Sequence, residues 1–306
     1  MTVKILYHRD DCEDAVPNDE TNADFFARYD ALLARWPVPV EPLDIPGRYG
    51  TTHVNACGPT DAPPIVLMHG GRATSTVWYG NIGALAHRHR VYAIDGIVDA
   101  GRSVDDGEPL VGVDGLMSWL DETLDKLGVH ATTMVGHSLG AWIAMRYALH
   151  APTRVDRLAL LDPTDCLVPT RISYRLRAIP LFVGRAPGRW RSFFLWETQG
   201  HDVDPAFLDL WASSFRASWT RRAKLTLPTR PPAAAITALP MPLLVVVAGR
   251  SRQNNAQKLA RAAGALSGAT VLTLSEATHF TLPQQHPAEI NAALADLVDR
   301  PAARSV

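Results

Sequence analysis

Five residues constrain this chain more than any others: Gly136-His137-Ser138-Leu139-Gly140, lying between the apolar run Thr132-Thr133-Met134-Val135 and a helix-forming stretch from Ala141 to Leu149. A G-x-S-x-G pentapeptide by itself occurs by chance. At a strand-to-helix junction it describes a sharp, strained turn that lifts a serine hydroxyl clear of the sheet. The flanking glycines remove Cβ atoms that would collide where strand and helix come so close. The turn also sets Ser138 at a helix N-terminus, where unpaired N–H groups and the dipole favour a developing anion. The plainer alternative is a serine that simply caps an ordinary helix.

Two further segments weigh against that alternative. Ile65-Val66-Leu67-Met68 reads as a buried strand and runs into His69-Gly70-Gly71. Much later, Thr270-Val271-Leu272-Thr273-Leu274 reads as a strand and is followed by Ala277-Thr278-His279-Phe280. In this order the three segments resemble the α/β-hydrolases, over roughly residues 40 to 300. The resemblance implies that Ser138 is the nucleophile and His279 its general base. It places the oxyanion hole at the backbone N–H groups of Leu139 and Gly71. Haloalkane dehalogenases and epoxide hydrolases of this fold carry an aspartate at the elbow. With Ser138 there, the chain resembles the serine branch: esterases, thioesterases, lactonases, amidases and some acyltransferases.

The acid departs from the commoner family pattern. An aspartate is usually found a few residues past the strand at 243–248, but here Ala248-Gly249-Arg250-Ser251-Arg252-Gln253-Asn254-Asn255 contains no carboxylate. The preceding strand ends Leu160-Leu161-Asp162-Pro163-Thr164-Asp165, and some lipases of this fold carry their acid after that sixth strand. Asp162 is therefore the expected orienting acid, with Asp165 as the alternative and a site without a carboxylate as a third reading. Asp162 also has a plain structural reading, because aspartate before proline often caps a turn. His137 and His69 are read as structural histidines, and so is the loop of Asp95 and Gly101-Arg102-Ser103.

Strand signals fall near 40–45, 51–56, 65–69, 91–95, 131–135, 155–161, 243–248 and 270–275, with helices near 112–127, 139–150, 255–266 and 284–299. This alternation predicts a mostly parallel central sheet flanked by helices. The expected division is an N-terminal extension and helix (1–36), a core (37–162 and 243–306) and a helical cap or lid (163–242) inserted after the sixth strand. The extension is acid-rich at first, then helical from Asp24 to Trp36, where Pro37 stops it. In the cap, Phe207, Trp211, Phe215 and Trp219 recur every four residues and share a helix face. They either pack the cap onto the core or, with Trp196, roof an apolar pocket; Trp196, Trp211 and Phe215 are the candidate pocket residues.

The 306 residues, 47% hydrophobic and 20% charged, suit a chain with a sizeable core. A net charge of −1 gives no global pull towards nucleic acid or an anionic membrane. Cys12, Cys57 and Cys166 lack metal-ligand spacing and read as reduced thiols of a cytoplasmic protein. The N-terminus has too short an apolar run for a signal peptide. No cofactor or metal is expected, since His87 and His89 have no further ligand-type residues beside them. The expected substrate is a small acyl compound, cleaved through an acyl-serine intermediate. Two other roles stay open. Arg171, Arg175, Arg177, Arg185, Arg189 and Arg191, without an acid between Cys166 and Trp196, form a patch suited to an acidic acyl-carrier protein. Alternatively, the fold serves as a weakly catalytic ligand receptor.

Overall fold

The computed structural model describes residues 19–182, 189–215, 227–282 and 284–302. Eight strands form one sheet: β1 (Glu41–Gly47), β2 (Gly50–Cys57), β3 (Pro64–Met68), β4 (Arg90–Ile94), β5 (Thr132–His137), β6 (Val155–Leu161), β7 (Leu243–Ala248) and β8 (Ala269–Leu274). Their order is β1-β2-β4-β3-β5-β6-β7-β8. β1 and β2 pair antiparallel, as do β2 and β4, and every later pairing is parallel. A parallel strand is covered on both faces, so it reads as a continuous apolar run; every residue of β5 and β7 is buried. Pro42 and Pro46 cannot donate to a ladder on both sides, and β1 accordingly lies at the sheet edge.

Helices cover both faces. α1 (Asp19–Leu33) precedes the sheet, α2 (Ile82–Ala86) and α3 (Gly112–Lys126) follow β3 and β4, and α4 (Leu139–His150) follows β5. Between β6 and β7 come α5 (Ile172–Phe182), α6 (Arg189–Thr198), α7 (Pro205–Ser213) and α8 (Ala233–Thr237); α9 (Ala256–Gly264) and α10 (Pro287–Val298) complete the chain. α4 is apolar nearly all round because it is enclosed by sheet and neighbours, with Trp142 and Tyr147 fully buried.

α1 starts at Asp19 rather than Asp24. It ends at Leu33 because Arg35 and Trp36 donate to Leu32 O and Leu33 O, tightening the last turn. Its apolar stripe is buried at Phe25, Tyr29 and Leu32. The Tyr29 hydroxyl donates to Asp95 (3.0 Å), which also accepts from the backbone N–H of Ser75 and Arg102. Asp95 is thus a structural knot tying α1 to the sheet. The acid-rich segment before Asp19 lies outside the described residues.

The stripe expected along one helix stops earlier. Ser213 and Ser214 turn their hydroxyls back onto the carbonyls of Leu210 and Trp211, both at 2.7 Å, and α7 ends there. Phe215 therefore follows the helix instead of extending its face, and Trp219 lies outside the described residues. Among the described residues, no helix is long and apolar enough to cross a membrane, and no group of three or more His, Cys, Asp and Glu is placed to hold a metal.

Register brings the strand ends level. His137 of β5 faces Leu161 of β6, and Leu161 faces Val246 of β7. The loops after β5, β6, β7 and β8 consequently meet on one rim at the carboxyl ends of the strands, where open α/β sheets place their sites.

Candidate active site

Ser138 sits at φ 54° and ψ −116°, a backbone state that an L-residue occupies only under constraint. The constraint is the closeness of strand and helix. A Cβ on Gly136 would come within 2.3 Å of Gly140 O, and one on Gly140 within 2.2 Å of Met68 O. Neither position tolerates a side chain. Ser138 N donates to Leu161 O (3.0 Å), which fixes the turn against β6.

Three side chains converge from three loops. His279 Nε2 lies 2.8 Å from Ser138 Oγ, and His279 Nδ1 lies 2.7 Å from Asp162 Oδ2. Their partners fix the protons: Nδ1–H donates to the carboxylate, leaving Nε2 to accept from the serine. All three residues are nearly excluded from water, at 8% exposed for Ser138, 3% for His279 and 0% for Asp162. Asp162 holds a left-handed φ of 38°, a conformation that aspartate tolerates better than most residues. The alternative acid, Asp165, is committed elsewhere, to an ion pair with Arg175 (2.6 Å) and a bond from Thr170 N (2.9 Å).

The loop after β7, which lacks a carboxylate, braces the turn after β6 instead. Ser251 Oγ donates to Asp162 Oδ2 (2.7 Å), Asn254 Nδ2 to Pro163 O (3.2 Å) and Gln253 Nε2 to Thr164 Oγ1 (2.9 Å). Thr164 Oγ1 in turn lies 3.2 Å from Ser138 Oγ. An amide N–H can only donate, so the Thr164 proton is free to point at Ser138, whose own proton points at His279. Thr164, Ser251 and Gln253 escaped the sequence reading. Short polar residues in a turn carry no pattern of their own.

Two buried histidines flank the site. His137 Nε2 donates to His279 O (2.9 Å); burial first, then the facing His279, push its pKa down to about 3, so the ring is neutral. His69 accepts from Gly96 N at Nε2 (3.0 Å), which leaves Nδ1–H for Gly70 O (2.8 Å). Both rings are thus bonded to main-chain groups.

Leu139 is the first residue of α4, so its N–H has no partner within the helix. A Cβ on Gly71 would lie 3.8 Å from the Leu139 side chain, so the loop after β3 comes up beside the start of α4. Of the candidate pocket residues, Trp211 is buried (2% exposed), with Trp190, Phe194, Phe215 and Phe280 around it at ring separations of 4.8 to 6.4 Å. It packs the 163–242 segment onto the residue next to His279. Phe215 is partly buried beneath the Arg72 guanidinium, and Trp196 lies against Tyr174 and Phe193 with Arg177 and Arg252 over its ring.

Residues 65–293 match the model of the alpha/beta hydrolase family. The chain is similar to the Bacillus subtilis protein described as the uncharacterized carboxylesterase nap, at 38% identity over 47% of this chain and 48% of that protein. It is also similar to the carboxylesterase YbfK of the same organism, at 34% identity over 49% of this chain and 50% of that one. The alignments thus span about half the length of these curated relatives. Among solved structures, naproxen esterase (carboxylesterase NP) from Bacillus subtilis superposes with a TM-score of 0.83 at 26% identity, covering 92% of this chain and 99% of that one.

Proposed function

The chain belongs to the alpha/beta hydrolase family, and from the geometry of its serine we propose that it hydrolyses carboxylic esters through an acyl-Ser138 intermediate. The observation that carries this reading is the unbroken run of contacts Ser138 Oγ–His279 Nε2 and His279 Nδ1–Asp162 Oδ2, at 2.8 and 2.7 Å. His279 takes the serine proton as the hydroxyl attacks the ester carbonyl. It then delivers that proton to the leaving alcohol, and in the second half-reaction it activates water in the same way. Asp162 holds the imidazole in the tautomer that can accept and favours the imidazolium that forms. The oxyanion falls to the N–H groups of Leu139 and Gly71; one such donor is worth about 2.7–4 kcal/mol of barrier. The similarity to carboxylesterases supports an ester over other acyl compounds. Residues 163–242 serve as the cap, with Trp196 and Phe215 as pocket walls.

Ser138→Ala tests the reading. It should abolish turnover of a short p-nitrophenyl ester and labelling by a fluorophosphonate, with an unchanged fold, because one hydroxyl at the elbow supports no core contact. Stoichiometric labelling of the alanine variant would place the nucleophile elsewhere.

One observation favours a second role on the same chemistry. Arg171, Arg177 and Arg191 are exposed on the 163–242 segment, whereas Arg175 is paired with Asp165. The Arg185 part of the patch lies outside the described residues. Three solvated cations can steer an acidic acyl carrier towards the site. Reversing their charge should then slow a carrier-bound thioester while sparing a small one; equal effects on both would rule it out.

A further inference from the structure

One buried ionisable group near the site has no part in the chemistry above. Glu197, on α6, is 0% exposed. Its two carboxylate oxygens accept from two successive main-chain N–H groups, His279 N at 3.2 Å and Phe280 N at 3.1 Å. No Lys or Arg pairs with it among the described residues. A buried carboxylate without a cation is costly, and two backbone donors offset only part of the cost. Perturbed buried charges cluster at functional sites.

The charge has a neighbour that gains by it. Burial pushes the Glu197 carboxyl up, and the facing His279 and the two backbone donors pull it back. Asp162 and Tyr174 also face Glu197, and His137 lies against His279 on its other side. The peptide of His279 is thereby gripped at both ends, its N–H by Glu197 and its carbonyl by His137 Nε2 at 2.9 Å. The ring that bridges Ser138 and Asp162 thus hangs from a peptide bonded on both sides.

We propose that Glu197 is a positioning residue for His279: it anchors the main chain of the base from the segment between β6 and β7, and its buried charge favours the imidazolium formed during acyl transfer. The proposal rests on the ester-hydrolase reading above and adds a second anion to it. Asp162 acts on the ring directly; Glu197 acts through the peptide and through space.

Glu197→Gln keeps the shape, removes the charge and turns one acceptor into a donor that meets an N–H. Its kcat for a p-nitrophenyl ester should fall about tenfold with KM little changed, the scale of losing a hydrogen bond to a charged group. The acid limb of its kcat/KM–pH profile should move to lower pH, because without the second anion the neutral imidazole persists further into acid. Glu197→Asp keeps the charge on a shorter arm, so it should lose rate while leaving the limb in place. Stability gives a separate readout. A carboxyl held above its ordinary range stabilises the fold at low pH, and that stabilisation is lost as pH rises through the raised value. The melting temperature of the wild type, relative to the glutamine variant, should therefore fall as pH rises from the ordinary glutamate range through the raised value. An unmoved acid limb in the glutamine variant, with melting temperature and rate lowered together at every pH, would reduce Glu197 to a structural brace and overturn the proposal. Absence of turnover in the wild type would instead overturn the ester-hydrolase reading.

Discussion

The turn after β6 and the loop after β7 are neighbours in the sheet, but their contributions differ. The β6 turn projects Asp162 to 2.7 Å from His279 Nδ1. The β7 loop has no carboxylate, and its polar side chains face the β6 turn at Asp162, Pro163 and Thr164. Because the two strands are parallel and in register through Leu161 and Val246, their ends lie at the same height beside the same imidazole. In the proposed mechanism the acid therefore stands at the β6 end, and the β7 loop supports the turn that carries it. The chemistry depends on a point in space more than on a position in the chain.

Variants on the two sides should separate direct from supporting roles. His279→Ala removes the group that both sides serve and should reduce acylation by several orders of magnitude, since serine without a base is a poor nucleophile; single-turnover acylation measures it. Ser251→Ala removes a bond to a charged acceptor, worth about 1.5 kcal/mol, so kcat should fall roughly tenfold. A loss as deep as that of the histidine variant would make the loop a direct participant. Thr164→Val deletes the hydroxyl 3.2 Å from Ser138 Oγ and should cost about 1 kcal/mol, a few-fold in kcat, whereas Thr164→Ser should stay near wild type. Asn255 marks the outer limit of the support. Its side chain caps α9 by accepting from Lys258 N at 3.0 Å, so Asn255→Ala should lower unfolding stability by about 1 kcal/mol without touching the rate.

Legibility in the sequence follows the same division. Ser138 stands out because strand, turn and helix are consecutive, and the glycines needed for their close approach are part of the motif. The sheet is legible for a related reason: buried parallel strands such as Leu243–Ala248 are unbroken apolar runs. His279 is legible from its place after the last strand. Asp162 was only half legible, since Asp165 lies three residues on and nothing local shows which one Arg175 will claim. The supports Ser251, Gln253 and Glu197 were not legible at all. Each acts across more than 80 residues of chain, and Glu197 does so from a segment where proline-rich stretches and a helix ended by serine back-bonding break the periodicity. Residues joined only by tertiary contact leave no spacing to read.

In the proposed mechanism the acid comes from the end of β6, at Asp162. The most direct measurement is single-turnover acylation of Asp162→Asn and Asp165→Asn side by side with the wild type. A loss on the order of 10⁴-fold is expected for Asp162→Asn, as when the corresponding change in a protease triad traps the wrong tautomer. Asp165→Asn should stay within a few-fold of wild type and show its loss in thermal stability, through the broken pair with Arg175. Equal losses in the two variants, or an Asp162→Asn enzyme that acylates at the wild-type rate, would contradict it.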